Sequence, residues 1–177
     1  MELKGSRTEA NLYSAYAGES QAMVKYRIYA DRARHKGYQG IAAIFEETSL
    51  NEQAHAAVWL RYIHGGNYRK TLENLKDAQA GEAYEWSTMY ADYAKIAREE
   101  GFEEIARRFE MVADVEKRHD NRYQNYIAQV SENAVFSKEQ SVSWICLNCG
   151  FVYEGKIAPK LCPVCSYPQD YFEPYQK

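Results

Sequence analysis

The sequence predicts an all-α fold, a four-helix bundle, followed by a small domain that a metal ion organises. Three observations predict it: four apolar stripes at helical spacing, short connections between them, and four cysteines that all lie near the C-terminus. The chain has 177 residues, enough for one ordinary domain and a small appendage.

The first two helices have clear ends. A first helix is expected over 6–36, because Ser6 and Glu9 have the spacing of a capping box and Gly37 follows a basic last turn. A second helix is expected from about Gln39 to Ile63, and it stops at a pair of glycines.

The remaining helices complete the bundle. A third helix occupies some part of 71–100, and a fourth covers roughly 102–132. Four helices of about 25–30 residues joined by short connections are typical of a four-helix bundle. We therefore expect the bundle in residues 1–133, a polar linker in 134–143, and a separate small domain in 144–177, which contains every Pro of the chain.

Composition excludes several classes of protein. Hydrophobic residues make up 46% of the chain and the formal net charge is −3, which does not suggest a general nucleic-acid binder. No apolar run approaches the roughly 20 residues that a membrane-spanning helix needs. The N-terminus lacks the apolar core of a secretory signal, so the expected location is cytoplasmic.

Each apolar stripe of the bundle contains acidic or imidazole side chains. In the second helix, Glu52 and His55 share a face with Phe45 and Trp59, where a soluble helix normally buries apolar groups. The other three stripes also contain glutamate or histidine side chains among their apolar residues. The charged members of the four stripes are Glu19, Glu52, His55, Glu82, Glu85, Glu116 and His119.

Such a cluster needs cations. An unpaired buried ion costs on the order of several kcal/mol, and five like charges add repulsion. Two iron ions would supply four or six positive charges, and carboxylates with imidazoles suit iron or manganese. One Glu from each of two helices with Glu-x-x-His from the other two is the carboxylate-bridged di-iron pattern. A four-Glu, two-His site would be complete without Glu82, for which a solvated position is the alternative.

The cysteines form two C-x2-C pairs separated by twelve residues: Cys146, Cys149, Cys162 and Cys165. About thirty residues cannot bury enough apolar surface to fold unaided, so a tetrahedral metal would organise them. The spacing does not distinguish iron from structural zinc. Iron is favoured because a redox di-iron centre needs single electrons, which an iron–tetracysteine centre can deliver.

The motifs together resemble the rubrerythrin family, a ferritin-like di-iron domain followed by a rubredoxin-like domain. They are GES at 18–20, NEQAH at 51–55, GEAYEWSTMY at 81–90, EKRH at 116–119 and the two cysteine pairs. The resemblance implies that the seven charged residues above bind two iron ions and that the four cysteines bind one. It further implies that Tyr26 and Tyr90 hydrogen-bond around the site, and that one iron exchanges Glu82 or Glu85 for His55 when its oxidation state changes.

The resemblance also implies an activity. It implies a peroxidase that reduces hydrogen peroxide to water at the di-iron site, in defence against oxidative stress. The electrons are expected to pass through the tetracysteine iron of another subunit, in a homodimer or larger oligomer. The electrons would come from a separate donor, a rubredoxin or an NAD(P)H-dependent reductase. Two alternatives remain: a ferroxidase or iron-handling protein of ferritin type, and a structural zinc module on a metal-sensing bundle.

Two features depart from the family pattern. Ser166 stands where rubredoxin knuckles usually have Gly. The connection between the second and third helices is also short. In a ferritin-like bundle these two helices are parallel, so the chain must return along the bundle. If the third helix starts at Thr71, the return is about 34 Å, whereas about seven extended residues reach only about 25 Å. Either the third helix starts near Ala78, or the third and fourth helices dock on another chain; we favour this swap.

Overall fold

The computed structural model describes residues 2–175. Its helices confirm the predicted all-α class, and a small strand-containing region follows them. The third predicted helix is divided by a π-helical turn. The elements are α1 (Arg7–His35), α2 (Gln39–Ile63), α3 (Thr71–Tyr84), the π turn (Glu85–Met89), α4 (Tyr90–Glu99) and α5 (Glu103–Ser131). Among the described residues, no helix combines the length and apolarity required to cross a bilayer.

The ends of α1 follow from its sequence. Ser6 Oγ accepts a hydrogen bond from the Glu9 N–H at 3.1 Å, as the capping box predicts. The Glu9 carboxylate accepts one from the Gly5 N–H at 2.6 Å, so the second half of the box reaches one residue further back. Gly37 follows the helix with φ of 83°, a left-handed conformation that glycine adopts without strain.

Internal contacts divide the chain after Arg69 into two units. In the first unit, α1 and α2 run antiparallel. Ser49 Oγ donates to the Met23 carbonyl at 2.8 Å, and the rings of Tyr26 and Phe45 lie 6.1 Å apart. The buried seam between the helices consists of small side chains: Ala30, Ala42, Ser49 and Ala56. Small residues permit close approach of the two backbones.

In the second unit, α5 runs antiparallel to α3 and α4. Trp86 of the π turn donates to Asp120, and the rings of Tyr93 and Phe109 lie 5.7 Å apart. Alanines again form the buried seam: Ala94, Ala97 and Ala106.

The two helical pairs repeat each other at a fixed distance along the chain. Tyr26, Tyr29 and Phe45 form one aromatic trio, and the residues 64 positions later form another: Tyr90, Tyr93 and Phe109. The Arg34–Glu46 ion pair recurs in the same way as Arg98–Glu110. The second helical pair therefore repeats these contacts of the first at a constant spacing of 64 residues.

The expectation that the stripes are fully buried is wrong for the single chain. Ile41 and Tyr62 belong to the stripe of the second predicted helix and Ile105 to that of the fourth, and they are 49%, 48% and 48% exposed. The reason is that alanines occupy the seam of each pair, so the larger stripe side chains lie beside it. Each pair thus carries an apolar face that its own two helices do not cover.

The C-terminal region is a three-stranded antiparallel sheet in the order β2-β1-β3. The strands are β1 (Ser137–Cys146), β2 (Val152–Ile157) and β3 (Phe172–Pro174), with a 3-10 turn at Gln169–Tyr171. Trp144 is fully buried in the core of this region, and its Nε1 donates to the Gly155 carbonyl at 2.9 Å. Buried Cys146, Cys162 and Phe172 pack in the same core.

The segment 134–143, expected to be a linker, is strand from Ser137 onward. Val142 pairs with Gly155 and Ser137 with Ile157. The side chains of 139–141 are exposed, which explains why a polar composition concealed a strand. The boundaries of the predicted domains otherwise stay predictions.

Candidate metal centres

The first unit brings together three of the predicted ligands, Glu19 of α1 with Glu52 and His55 of α2. Glu52 and His55 are three residues apart and lie on one face of α2. His55 Nδ1 lies 2.9 Å from a Glu52 carboxylate oxygen and 3.9 Å from one of Glu19. The ligand atoms lie within 4.8 Å of one another, close enough to share one ion.

The second unit forms a matching trio, Glu82 of α3 with Glu116 and His119 of α5. His119 Nδ1 lies 2.7 Å from Glu116 and 3.6 Å from Glu82. Burial, followed by the charge of Glu116, raises the pKa of Glu82. Crowded carboxylates oppose each other's ionisation, and a cation between them would relieve this repulsion. We call the two clusters the first trio and the second trio.

The second helical pair has one more residue than the first between its trio glutamate and its tyrosine. Seven positions separate Glu19 from Tyr26, whereas eight separate Glu82 from Tyr90. The π turn at 85–89 lies within the longer interval and absorbs the extra residue. Sequence reasoning missed this turn, although the recurrence of Gly-Glu at 18–19 and 81–82 was a visible signal.

Glu85, the first residue of the π turn, is not a member of the second trio. It is half-buried, and its charge is the second cause, after burial, of the raised pKa of Tyr90. The corresponding position of α1 is Ala22. The second helical pair therefore has one more carboxylate near its trio than the first.

The two predicted tyrosines lie in equivalent aromatic trios. Tyr26 packs 6.1 Å from the Phe45 ring, and Tyr90 packs 5.9 Å from the Phe109 ring. Burial and the charge of Glu85 raise the pKa of Tyr90 above the ordinary tyrosine value of about 10, so its hydroxyl is protonated near neutral pH. The hydrogen bonds that these tyrosines would make to the metal ligands stay a prediction.

Asp120 is a buried acidic residue that sequence reasoning missed. Three side-chain amide and indole groups donate to its carboxylate. Burial alone would raise the pKa of Asp120, yet these hydrogen bonds hold it below its usual range. Its signal in the sequence was a charge at the repeat position of Ala56.

The four cysteines converge at one end of the small sheet. The sulfurs of Cys146 and Cys165 lie 3.7 Å apart, and those of Cys149 and Cys162 lie 3.6 Å apart. A tetrahedral site with metal–sulfur bonds of about 2.3 Å has sulfurs about 3.8 Å apart. The geometry fits one tetrahedral metal ion.

The two cysteine knuckles have the same backbone hydrogen bond. The Gly150 N–H donates to the Cys146 carbonyl at 2.8 Å, and the Ser166 N–H donates to the Cys162 carbonyl at 2.9 Å. Both residues have positive φ, 76° for Gly150 and 60° for Ser166. Ser166 thus adopts the conformation of the usual glycine, with the strain of a side chain in the left-handed region.

The thiols of this cluster differ in acidity. A hydrogen bond from the Asn148 side chain is the main cause that lowers the pKa of Cys165 to about 6. The backbone hydrogen bond of Phe151 lowers the pKa of Cys149, but partial desolvation of its sulfur and the neighbouring thiols outweigh this and raise it to about 12. A second thiolate is disfavoured beside the first, and a bound cation would stabilise all four.

Comparison with known proteins identifies both regions. Residues 10–127 match the family model "Rubrerythrin", and residues 144–173 match "Rubrerythrin, rubredoxin-like domain". The chain is 43% identical to a rubrerythrin of Porphyromonas gingivalis, over 97% of this chain and 92% of the relative. It is 42% identical to a rubrerythrin of Nitratidesulfovibrio vulgaris, over 97% of this chain and 95% of the relative. A putative rubrerythrin of Methanocaldococcus jannaschii is 40% identical, with 94% and 91% covered.

Proposed function

The chain belongs to the rubrerythrin family, and we propose that it is a peroxidase that reduces hydrogen peroxide to water at a carboxylate-bridged di-iron site. The observation that carries the proposal is the pair of matching trios, each with two carboxylates and one imidazole. Oxygen and nitrogen donors of this kind suit iron. When bound, the iron pair supplies the two electrons that cleave the O–O bond.

The side chains have distinct roles in this proposal. Glu52 and Glu116, which lie in the Glu-x-x-His faces of the two helical pairs, would supply the bridging carboxylates of the di-iron pattern. Glu19 and Glu82 would hold the ions from the opposite helix of each pair. Tyr90, which keeps its proton, donates a hydrogen bond to a carboxylate of the site.

We assign the exchange of ligands to Glu85 and His55. Glu82 already lies within the second trio, whereas Glu85 stands outside it on the π turn. His55 is 56% exposed in the single chain, so packing within its own helical pair does not fix its ring. In this proposal one ion would be held by either Glu85 or His55, and the five other ligands would stay in place.

The tetracysteine site serves electron transfer in this proposal. Cys149 is exposed, which gives an outside donor access to the iron–sulfur centre. A rubredoxin or an NAD(P)H-dependent reductase would supply the electrons one at a time.

Stopped-flow spectroscopy of the fully reduced protein tests the reaction directly. Mixed with hydrogen peroxide, the di-iron site should oxidise at least about tenfold faster than with dioxygen at equal concentration. Equal rates would contradict the peroxidase proposal. A protein that ends before β1, lacking 137–177, tests the ferroxidase alternative. A peroxidase of this kind should lose donor-driven peroxide reduction when the region is removed, whereas a ferroxidase would keep its activity.

We further propose that each complete site uses two chains. α2 ends at Ile63 and α3 begins at Thr71, which removes the alternative of a late third helix. The intervening seven residues reach about 25 Å, less than the roughly 34 Å return between parallel second and third helices in a ferritin-like bundle. The half-exposed apolar stripes of both helical pairs suit the same arrangement, because a second copy would cover them.

Complementation distinguishes this arrangement from a single-chain site. Glu52→Ala disables the first trio, and Glu116→Ala disables the second. In a swapped heterodimer of the two variants, one site contains both defects and the other contains none. Heterodimers purified with two different tags should therefore have about half the wild-type peroxidase activity. If heterodimers are as inactive as either variant alone, each site is built from one chain.

A further inference from the structure

Asp120 is a buried carboxylate that neither metal trio includes. It is 3% exposed and directly follows His119 on α5. Its Oδ1 accepts hydrogen bonds from Gln79 Nε2 and Gln124 Nε2, both at 2.8 Å, and its Oδ2 accepts one from Trp86 Nε1 at 2.9 Å. Hydrogen bonds to a charged acceptor are among the stronger contacts in a protein, and loss of the acceptor would leave the buried donors unpaired.

Two of these donors bracket the predicted ligands of the opposite helix. Gln79 lies three residues before Glu82, and Trp86 lies one residue after Glu85. The segment 79–86 is thus held to α5 on both sides of its two glutamates. We call the hydrogen bonds from Gln79 and Trp86 to Asp120 the bracket. Because Asp120 directly follows His119, the hydrogen bonds from Gln79 and Trp86 reach α5 next to one of the predicted ligands of that helix.

The bracket coincides with the irregular part of the helix. A π turn has poorer hydrogen-bond geometry than an α-helix, and here it starts at Glu85. Lys117 adds a contact from α5, with its Nζ 5.0 Å from the centre of the Trp86 ring. The first helical pair has no π turn, because α1 is continuous, and no buried carboxylate at this position, because Ala56 takes the place of Asp120.

We propose that Asp120 is a positioning residue that holds the segment 79–86 in register against α5, so that Glu82 and Glu85 lie beside Glu116 and His119 before metal binds. A ligand set that is arranged in advance loses less conformational freedom on binding and holds its ions more tightly. The proposal rests on the di-iron ligands of the proposed function, and it does not depend on the reaction with peroxide.

Asp120→Asn tests the proposal in the holoprotein. The asparagine has nearly the same shape, but its amide group meets one of the donors and it has a single acceptor oxygen. The reduced protein is mixed with a ferrous chelator, and formation of the coloured chelate is followed. The variant should release the iron of the helical region about tenfold faster than wild type, as expected for loss of a group that orients metal ligands. After the chelate is removed and the protein is reoxidised, the visible absorbance of the ferric tetracysteine site in the same sample should be the same as in wild type.

Ala106→Gly is the matched control. It weakens the α4–α5 seam at a fully buried position that is distant in sequence from the bracket. At an equal loss of thermal midpoint, its iron release should stay within about twofold of wild type. The proposal is overturned if Asp120→Asn releases iron at the wild-type rate, or if Ala106→Gly releases it as fast as Asp120→Asn.

Trp86→Phe provides a second variant if Asp120→Asn does not accumulate as folded protein. It removes one donor of the bracket and keeps a similar ring in place. Release about threefold faster than wild type supports the proposal, since the Gln79 contact remains. An unchanged rate overturns it. No peroxide is present in these assays, so failure of the peroxidase proposal would leave their outcome unaffected.

Discussion

The two helical pairs, α1–α2 and α3–α5, hold the same trio in different surroundings. Both place a glutamate opposite a Glu-x-x-His face, with an equivalent aromatic trio and ion pair nearby. Only the second pair has the π turn, the additional Glu85 and the buried Asp120; the first has a continuous helix with Ala22 and Ala56 at the corresponding positions. A regular antiparallel pair is therefore enough to assemble a trio, and the extra features of the second pair make the centre asymmetric.

Equivalent ligands of the two pairs should be equally necessary. Glu52→Ala and Glu116→Ala should each lower peroxide reduction by at least about 100-fold, because each removes a bridging carboxylate. Steady-state assays with an NADH-linked donor system measure this. The tetracysteine absorbance should be unchanged in both, and a large difference between the two variants would contradict the equivalence.

Glu85 should matter for turnover more than for iron content. Glu85→Ala gives the second pair the residue that the first pair has, and it leaves the second trio intact. Peroxide reduction should fall about tenfold while most iron is retained, because the exchanging ligand is missing. Glu99→Ala, on the exposed end of α4, is the control and should have no effect on either quantity. Loss of iron in proportion to activity would instead make Glu85 a permanent ligand.

The π turn should be removable. Deleting Ser87 gives the second pair the seven-residue spacing of the first, so a continuous α-helix can form with both the trio and Tyr90 in place. The free energy of unfolding should fall by less than about 2 kcal/mol. Urea unfolding followed by circular dichroism measures it.

Deletion of Lys95 within regular α4 is the matched comparison. It rotates the residues on one side of the deletion by about 100° and takes Ala97 out of the buried seam, at an expected cost above about 3 kcal/mol. If both deletions destabilise the protein equally, the π turn is not an insertion into an otherwise complete helix.

The smallest effect is expected at the ion pairs that the two helical pairs share. Arg34–Glu46 and Arg98–Glu110 are substantially exposed and therefore screened by solvent. Glu46→Ala and Glu110→Ala should each change the thermal midpoint by no more than about 2 °C, with the same sign. Calorimetric scans measure the thermal midpoints of the two variants. Shifts of clearly different size or of opposite sign would contradict the equivalence of the two ion pairs.

Most of the site could be predicted from the sequence because helical spacing determines which residues share a face. Glu19 lies with the first Glu-x-x-His pair, Glu82 lies with the second, and the four cysteines lie together. Glu85 is not a member of the second trio, and its role as a metal ligand stays a prediction. The π turn that begins at Glu85 could not be predicted, because helical spacing assumes a regular helix.

Burial was harder to predict than proximity. The stripes indicated one dry core, yet alanines form the seams and the larger side chains remain half-exposed in the single chain. The strand that starts at Ser137 was hidden by its exposed polar side chains. Asp120 looked like an ordinary surface residue because its three donors come partly from another helix, which periodicity does not reveal.

Counting iron in metal-replete protein tests the central claim most directly. Each chain should contain three iron atoms, two in the helical region and one at the tetracysteine site. Removal of the two iron atoms of the helical region should lower the thermal midpoint of the protein. Mass spectrometry for iron, with the visible absorbance reporting the tetracysteine site separately, gives both counts on one sample. A single iron in the helical region, or an unchanged thermal midpoint after its removal, would contradict the account that two cations hold the acidic trios together.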